Sequence, residues 1–436
     1  MAKISRPLVE YKEIIQSSGI TPGDYSPPKR TIKRLIRLLK GVDDARIVNM
    51  TDYPLHEILL IAFLAILGNS SSWNEIEKFG KMKEKWLRKF LVLKNGIPSH
   101  DTFRRVFALV DSAQLERATV FFLMENIDKI KKSLSIGSEG KRLMCVDGKE
   151  ERGTGRKYDS DAKQPNLQLL HVYDASDGIC LFSRPIEEKT NEIPTAQDIL
   201  KELQLKNTIV SFDALHTQKR TIAIIAAGKG DYIGALKGNQ ETCFNEVADY
   251  FTEENKKKIR EKGVNYYKTL DKAHSQVETR RFYLTTSINW FEDKEDWPHL
   301  KGFLCYETAT YDTITKKETK ECRYYITSMK DIQTCAEAVR GHWSVETQLH
   351  WHLDANMGED DNTTADRNAF TNLSIMNKLA LSLYKLAQPL MENNSIRMIR
   401  KVFSWGYEES IALLLNSFDE KVLKHALENA NAKKMR

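Results

Sequence analysis

Five apolar runs of strand length constrain the fold of this chain more than any other feature. They occur at 143–146, 167–173, 178–182, 208–212 and 231–236, with helical patterns at 193–205 and 217–227. The first three runs follow one another with no helical pattern between them, so they begin an antiparallel meander. The later alternation of helix and strand adds parallel strands through right-handed crossovers. The sequence therefore predicts an α/β fold in which a mixed sheet is flanked by helices.

Three acids occur at positions that the predicted fold would bring together at one edge of the sheet. Asp147 follows the run LMCV, Asp213 follows IVSF, and Glu346 lies within GHWSVETQLHWHLD, which a helix would carry. Carboxylates are hard oxygen ligands, suited to Mg²⁺ or Mn²⁺. Two such ions activate a water and stabilise the leaving oxygen of a phosphodiester. The pattern predicts a metal site for phosphodiester chemistry.

Each acid also has an ordinary interpretation, since a lone acid at a strand end is usually a turn or helix cap. Asp174 in VYDASDG fits that interpretation best, because Asp-Ala-Ser-Asp-Gly is a good turn sequence. Asp159 and Asp161 lie in a polar loop and are weaker candidates still.

The segment around Glu346 predicts a polar strip on one side of a helix. At about 100° per residue, a strip about 120° wide holds the four residues spaced by four: His342, Glu346, His350 and Asp354. Trp343 and Trp351 lie beside it. A zinc site is disfavoured, because His350 and His352 would point about 160° apart on a helix.

The amino-terminal region reads as helical, with helices also expected at 55–67, 73–93, 102–110 and 113–132. Residues 29–40 carry six basic side chains and no acid. Ile32, Leu35, Ile36 and Leu39 form an apolar stripe on this helix. The basic residues that would contact phosphates are Lys33, Arg34, Arg37 and Lys40. A solvated helix face explains the same charges.

Two further segments have DNA-binding interpretations with plain alternatives. IPSHDTFRRVFALV fits the second helix of a helix-turn-helix with Arg104 and Arg105 facing DNA, or a helix of an ordinary bundle. Lys237, Asn239 and Gln240 follow the last strand of the sheet and offer an ammonium and two amides to a phosphate or base. A simple strand-to-helix turn explains them as well.

Composition limits the class of protein. The 436 residues are enough for two or three domains, and a net charge of +6 is only mildly basic. Six dispersed cysteines indicate reduced thiols in a cytoplasmic protein. The longest apolar stretch, at 58–68, is too short to span a membrane and reads as a buried helix. Gly-rich nucleotide motifs are absent from plausible contexts, so no nucleotide cofactor is expected.

Five motifs occur in series: CVDGKE, EEKTNEIPTAQDIL, IVSFDALHTQ, DYIGALKGNQ and RGHWSVETQLHWHLDANMGEDD. In this order they resemble the motifs of the H-repeat-associated transposases, bacterial insertion-sequence enzymes of the DDE class. The similarity extends over residues 44–386, and residues 44–110 resemble the domain that accompanies the catalytic part. Related transposases carry a Tyr, Arg, Glu, Lys signature, and here other residues stand at its Tyr, Arg and Lys positions: Val339, His342 and Leu353.

The resemblance implies a ribonuclease-H-like core in which Asp147, Asp213 and Glu346 form the DDE triad and hold Mg²⁺ or Mn²⁺. It implies double-stranded DNA as partner, both element ends and target, and a homo-oligomer on paired ends, with no membrane. The expected DNA contacts from the core are Lys237, Asn239, Gln240, Arg340, His342 and Trp343. The expected function is DNA cleavage and transfer of an insertion-sequence element. A catalytically silent DNA-binding descendant and a metal-dependent nuclease without strand transfer are the alternatives.

We expect five regions along the chain. They are an all-α DNA-binding domain at 1–135, the first part of the catalytic core at 140–240, a solvent-facing β-rich insertion at 241–332, core helices with the third acid at 333–390, and a helical tail at 391–436.

Overall fold

Six helices precede the first strand in the computed structural model, which describes residues 4–20, 29–47, 51–137, 140–155, 165–186, 192–273, 275–391 and 394–434. They are α1 (Pro7–Ser18), α2 (Lys29–Leu39), α3 (Leu55–Leu67), α4 (Trp73–Leu87), α5 (His100–Leu109) and α6 (Ser112–Ser133). The helical character expected of this region is confirmed. Asp159 and Asp161 lie outside the described residues.

Helix α4 ends at Leu87, earlier than the expected residue 93. The carboxylate of buried Glu57 accepts the backbone N–H groups of Val92 and Leu93 at 3.0 and 3.2 Å. These N–H groups are therefore satisfied by a neighbouring helix rather than by a continued α-helical turn. The sequence pattern of α4 itself could not reveal this long-range partner.

The mixed sheet expected from the apolar runs is confirmed. Its first strands are β1 (Arg142–Glu151), β2 (Leu167–Asp174), β3 (Ile179–Ile186), β4 (Thr208–Phe212) and β5 (Asp231–Leu236). β1, β2 and β3 form an antiparallel meander, while β4 pairs parallel with β1 and β5. Helices α7 (Glu192–Glu202) and α8 (Lys219–Ala227) flank it. This strand order, β3-β2-β1-β4-β5, is that of a ribonuclease-H-like core.

The segment after β5 differs from the expected run of strands and loops. It begins with two helices, α9 (Glu241–Tyr250) and α10 (Glu253–Lys262), before β6 (Tyr266–Ala273), β7 (Gln276–Thr285), β8 (Gly302–Asp312) and β9 (Glu318–Thr327). The aromatic stretch NWFEDKEDW contains a 3₁₀ helix, Glu292–Asp296, with Phe291 and Trp297 buried beside it. β9 pairs with β5, so these strands extend the same sheet to nine strands. The insertion is thus continuous with the core sheet.

The chain then returns to helices. They are α11 (Ile332–His342), a π-helical segment Val345–His350, α12 (Trp351–Ala355), α13 (Arg367–Ala387), α14 (Ile396–Trp405), α15 (Tyr407–Asn416) and α16 (Glu420–Lys434). No helix among the described residues is long and apolar enough to cross a membrane. The six cysteines are free thiols, and Cys322 alone of them is exposed.

Helix α13 lies within the region 333–390, where core helices are expected, and it is almost entirely buried. Every residue from 369 to 387 is buried. The helix packs against α5, α6 and β3. Its buried lysines have polar partners: Lys378 donates to the Ser183 hydroxyl at 2.9 Å and Lys385 to the Gln348 carbonyl at 2.6 Å. One hydrophobic core therefore runs from the amino-terminal helices into the sheet.

Candidate active site

Asp147 lies within β1 rather than at its end. The strand continues to Glu151 because β2 keeps pairing with it, from Asp147 opposite His171 onward. The parallel neighbour β4, however, ends at Phe212 opposite Val146. Asp147 and Asp213 therefore follow matching positions on adjacent parallel strands. The expected juxtaposition is present, although the expected end of β1 was wrong.

The turn after β4 is ordered by the Asp213 carboxylate. Its Oδ1 accepts the backbone N–H groups of Leu215 and His216 at 3.0 and 3.3 Å. The amides expected to contact DNA also support this turn: Asn239 donates to the Ala214 carbonyl at 2.6 Å, and Gln240 to the Thr217 carbonyl at 2.9 Å. The turn interpretation of these two amides therefore describes their contacts.

The segment from α11 to α12 runs along one face of β1. Leu143 to Lys149 spans about 20 Å of strand, and Gly341 to Asp354 spans about the same length of helix. Contacts join both ends: Gly341 lies so close to Leu143 that a Cβ there would overlap the leucine side chain, and Asp354 pairs with Lys149 at 2.8 Å. The glycine lets the helix approach the strand closely.

Glu346 lies in a π-helical segment, which the expectation of regular α-helical spacing missed. The N–H of Trp351 donates to the Glu346 carbonyl, five residues back. Such wide turns often occur at functional sites. The local angles therefore differ from 100° per residue, yet the four residues of the expected strip still meet the sheet.

The three histidines of this segment have distinct environments. The His342 ring contacts the Ser211 hydroxyl at 3.0 Å. His350 lies 3.8 Å from the Asp147 carboxylate and 2.9 Å from the buried His171 ring. His352 instead contacts the Asn356 amide at 2.7 Å. His350 and His352 thus have separate surroundings.

The three acids line one cleft. Its volume is about 480 Å³, and its walls include Asp147, Asp213 and Glu346 together with Lys237, His342 and Trp343. The acids come from a strand, a turn and a π-helical segment. Three elements that are distant in sequence therefore present carboxylates to a common space.

Burial and electrostatic repulsion within this cleft both affect the pKa of Asp147. Burial, and then the negative charges of Glu346 and Asp213, raise that pKa to about 7. Burial lowers the pKa of His342 to about 4 and that of His350 to about 3, so both rings are neutral at pH 7. A divalent cation would relieve the carboxylate repulsion, and an all-oxygen donor set suits Mg²⁺ or Mn²⁺. The residues present therefore fit such an ion.

A second acidic cluster lies farther along β1 and already contains a cation. Glu151, Asp354 and Asp360 lie close enough together to hold a metal. The Lys149 ammonium, however, lies 2.5 Å from Glu151, 2.8 Å from Asp354 and 4.0 Å from Asp360. Because Lys149 is buried among them, its single positive charge offsets part of their negative charge. This cluster is better explained as a buried ion-pair network than as a metal site.

The basic residues expected to bind DNA fall into two groups. In the amino-terminal helices, Lys33, Arg37, Lys40, Arg104 and Arg105 are exposed. Arg34 differs, because it pairs with Glu125 at 2.8 Å and lies over the Phe121 ring. α5 packs on α4 and α13, as an ordinary bundle helix would.

The second group surrounds the cleft. Lys237 is exposed at its wall. Arg340 is exposed and pairs with Asp271 at 3.4 Å. Trp343 is 44% exposed, and the Arg323 guanidinium lies 4.9 Å from its ring. Of the expected core contacts, Lys237, His342 and Trp343 thus share the cleft with the acids.

Sequence patterns missed several residues next to these acids. Glu192 and His216 lie 3.5 Å apart, with His216 buried in the Asp213 turn. His171 is buried opposite Asp147 on β2. No periodicity singles them out, since their proximity depends on the strand pairing. Glu192 does lie within the quoted motif EEKTNEIPTAQDIL, which was its sole signal.

Comparison with known proteins adds independent evidence. The family model described as the transposase DDE domain matches residues 138–383, and a DDE_Tnp_1-associated model matches residues 36–123. The chain is 30% identical to the putative transposase YncI of Escherichia coli O157:H7, over 81% of this chain and 88% of that protein. It is 26% identical to the H repeat-associated putative transposase YhhI of E. coli K12, over 81% and 90%.

A further relative has no functional name. The chain is 34% identical to an uncharacterized protein in the dhlA 3′ region of Xanthobacter autotrophicus, over 63% of this chain and 88% of that protein. The transposase DDE domain nevertheless covers more than half of the 436 residues. With the mixed sheet described above and the H-repeat-associated relatives, this match means that the chain belongs to the DDE transposase family.

Proposed function

We propose that this protein cleaves DNA at the ends of an insertion-sequence element and joins the freed 3′ hydroxyl to target DNA, with Mg²⁺ or Mn²⁺ as cofactor. The observation that carries the proposal is the convergence of Asp147, Asp213 and Glu346 on one cleft, with the pKa of Asp147 raised to about 7 by burial and by the other two charges. Such an uncompensated carboxylate cluster favours cation binding.

Asp147 and Asp213 would hold the metal, and Glu346 would complete the shell of a second ion. The bound ions would activate the attacking oxygen and stabilise the leaving oxygen of the phosphodiester. The chain itself would position the DNA. Lys237 offers an ammonium to a backbone phosphate at the cleft wall, and the exposed Trp343 ring offers a stacking surface for a base.

Neutral His342 and His350 would orient the site rather than neutralise phosphate. Their low pKa values leave both rings uncharged at pH 7. His342 contacts Ser211 at the end of β4, and His350 lies beside Asp147. His342 therefore contacts the strand that leads to Asp213, and His350 lies next to Asp147 itself. This role differs from the DNA contact expected of His342.

The proposal is tested by Asp147→Asn, Asp213→Asn and Glu346→Gln, which remove charge with little change in shape. Each variant should lose at least about 100-fold in Mg²⁺-dependent cleavage of element ends, because each acid would hold an ion, while end binding persists. Asp198→Asn, an exposed acid on α7, is the matched control. Substantial cleavage by any one triad variant would remove that residue from the site.

Strand transfer separates the transposase from the two alternatives. Purified protein, a precleaved element end, Mg²⁺ and a supercoiled plasmid should yield covalent end-to-plasmid joints. An otherwise identical end that lacks the 3′ hydroxyl should yield none. Cleavage without joints would favour a nuclease, and end binding without either reaction would favour a silent DNA-binding protein. Joints that require two ends in one complex would also support a homo-oligomer on paired ends.

A further inference from the structure

Glu192 is a fourth acid beside the cleft, and it comes from an element that the triad does not use. It is the first residue of α7, and its side chain is only 20% exposed. Helix α7 packs against β2, β3 and α8. The Glu192 carboxylate and the helical segment that carries Glu346 therefore approach β1 from different directions.

The first contact of Glu192 is with the backbone next to Asp147. Successive side chains of a strand point to opposite faces, so position 148 faces away from Asp147. A Cβ at Gly148 would overlap Oε1 of Glu192. β4 ends opposite Val146, so it does not pair with β1 at Gly148. The carboxylate of Glu192 lies against the bare backbone of Gly148.

The second contact of Glu192 is with the turn that carries Asp213. The Nε2 atom of His216 lies 3.5 Å from Oε1 of Glu192. The His216 ring is buried, and its backbone N–H donates to the Asp213 carboxylate. One carboxylate thus touches both segments that present the first two acids.

An ordinary helix start explains these contacts poorly. An acid in a first helical turn stabilises the helix through its dipole, which requires no contact with other elements. Glu192 instead lies against a glycine and a buried histidine. Its negative charge also adds to burial and to the Glu346 and Asp213 charges in raising the pKa of Asp147. A position chosen for helix stability alone would not place more negative charge beside a carboxylate cluster.

We propose that Glu192 is a positioning residue of the metal site, which links the backbone beside Asp147 to the Asp213 turn through His216. This inference rests on the proposed function, since it assumes that Asp147 and Asp213 bind the ion. Residues that orient metal ligands commonly change metal affinity by about 10- to 100-fold when replaced. Glu192 would act in the same way, by fixing the separation of two ligands.

The test measures binding of Mn²⁺ alone to the full-length protein, by electron paramagnetic resonance of the free ion and without DNA. Glu192→Gln should weaken Mn²⁺ binding about tenfold. Its unfolding temperature in EDTA should not fall, because the substitution removes charge from a repulsive cluster. His216→Gln should weaken binding similarly, and the double variant should show little further loss, since the two residues act as one link. Asp198→Asn on the same helix is the matched control.

The outcomes distinguish this inference from the proposed function. Wild-type Mn²⁺ affinity in Glu192→Gln would overturn the inference, provided that Asp147→Asn binds Mn²⁺ poorly. A fall in affinity accompanied by an equal loss of stability in EDTA would also overturn it, since that pattern indicates a general structural role. Unchanged Mn²⁺ affinity in Asp147→Asn would instead overturn the proposed metal site itself.

Discussion

The protonation of Asp147 is controlled by its surroundings. Burial of its carboxyl, and then the charges of Glu346 and Asp213, raise its pKa from the ordinary 3.8 to about 7. The folded, metal-free protein therefore holds this proton more tightly than the unfolded chain does. The resulting contribution to stability is fully present below the ordinary pKa and is lost as the pH rises through about 7. A bound cation would reverse that trend by favouring the carboxylate.

Metal affinity should accordingly depend on pH. Below about pH 7 an incoming ion must displace the Asp147 proton, so the apparent affinity for Mn²⁺ should rise by up to about tenfold per pH unit and level off above pH 7. Titrations at pH 5.5, 6.5 and 7.5, with free Mn²⁺ measured by electron paramagnetic resonance, check this. Asp147→Asn should bind weakly and with a flatter profile. Equal wild-type affinity across the three pH values would contradict the assignment.

The sequence predicted where two acids of the cleft lie, and their role as metal ligands stays a prediction. Asp147 and Asp213 were found because each follows an apolar run, and the pairing of β1 with β4 brings these runs side by side. Glu192 and His216 could not be found in that way. Their meeting depends on how α7 lies over the sheet, which hydrophobic periodicity in one segment does not encode.

Helix α2 is an element whose two faces have different surroundings. Leu35 and Leu39 are buried, as the apolar stripe predicted. Lys33, Arg37 and Lys40 lie on the exposed side, whereas Arg34 is partly buried against Glu125. The first three are therefore available to DNA phosphates, and Arg34 contributes to packing on α6. The stripe predicted the apolar face but not the ion pair that occupies Arg34.

Replacing Lys33, Arg37 and Lys40 together by Ala should weaken binding of duplex DNA and reduce its dependence on salt. Each lost phosphate contact lowers the slope of log affinity against log salt by roughly one unit, or about three in total. Replacing Lys257, Lys258 and Lys262 of α10 by Ala removes the same charge elsewhere and is the matched control. An unchanged slope in the α2 variant would return this helix to the solvated-face interpretation.

Elements differed from their sequence patterns where a distant partner decided their ends. The polar sequence DGKEE gave no reason to extend β1, yet β2 pairs with it as far as Glu151. α9 and α10 were missed because all of residues 241–332 was predicted as one β-rich insertion. The longest apolar or strongly periodic segments, such as α3 and α13, were predicted well because their burial is nearly complete.

At the scale of the whole molecule, the described helices before β1 and the sheet share α13. The Tyr384 hydroxyl on α13 donates to the Leu67 carbonyl at 2.9 Å, and the Tyr11 hydroxyl donates to the Leu386 carbonyl at 3.0 Å. Trp73 on α4 also donates to Thr364, just before α13, at 3.1 Å. The expected division near residue 135 stays a prediction, and this shared core crosses it.

Thermal unfolding should therefore show one calorimetric transition for the helices and the core sheet, because neither can lose α13 without exposing apolar surface. An isolated fragment of residues 1–135 should show weak helical circular dichroism and no cooperative melting. The full chain under the same buffer conditions is the control. Two resolved transitions in the full chain, or a cooperatively folded fragment, would show that the amino-terminal helices form an independent unit.

The π-helical segment implies that the helix responds differently to the loss and to the gain of one residue. Its wider turn accommodates one residue more than regular α-helical winding would over the same stretch. Removing one residue between Glu346 and His350 would therefore let this stretch rewind as a regular α-helix with its two ends in their present orientation. Adding one residue would instead turn one end by about 100° relative to the other. Glu346 would then face the cleft, or Asp354 would meet Lys149, but not both. A single-codon insertion in this segment would thus disconnect the third acid from the contacts that anchor its helix, with every acid still in the sequence.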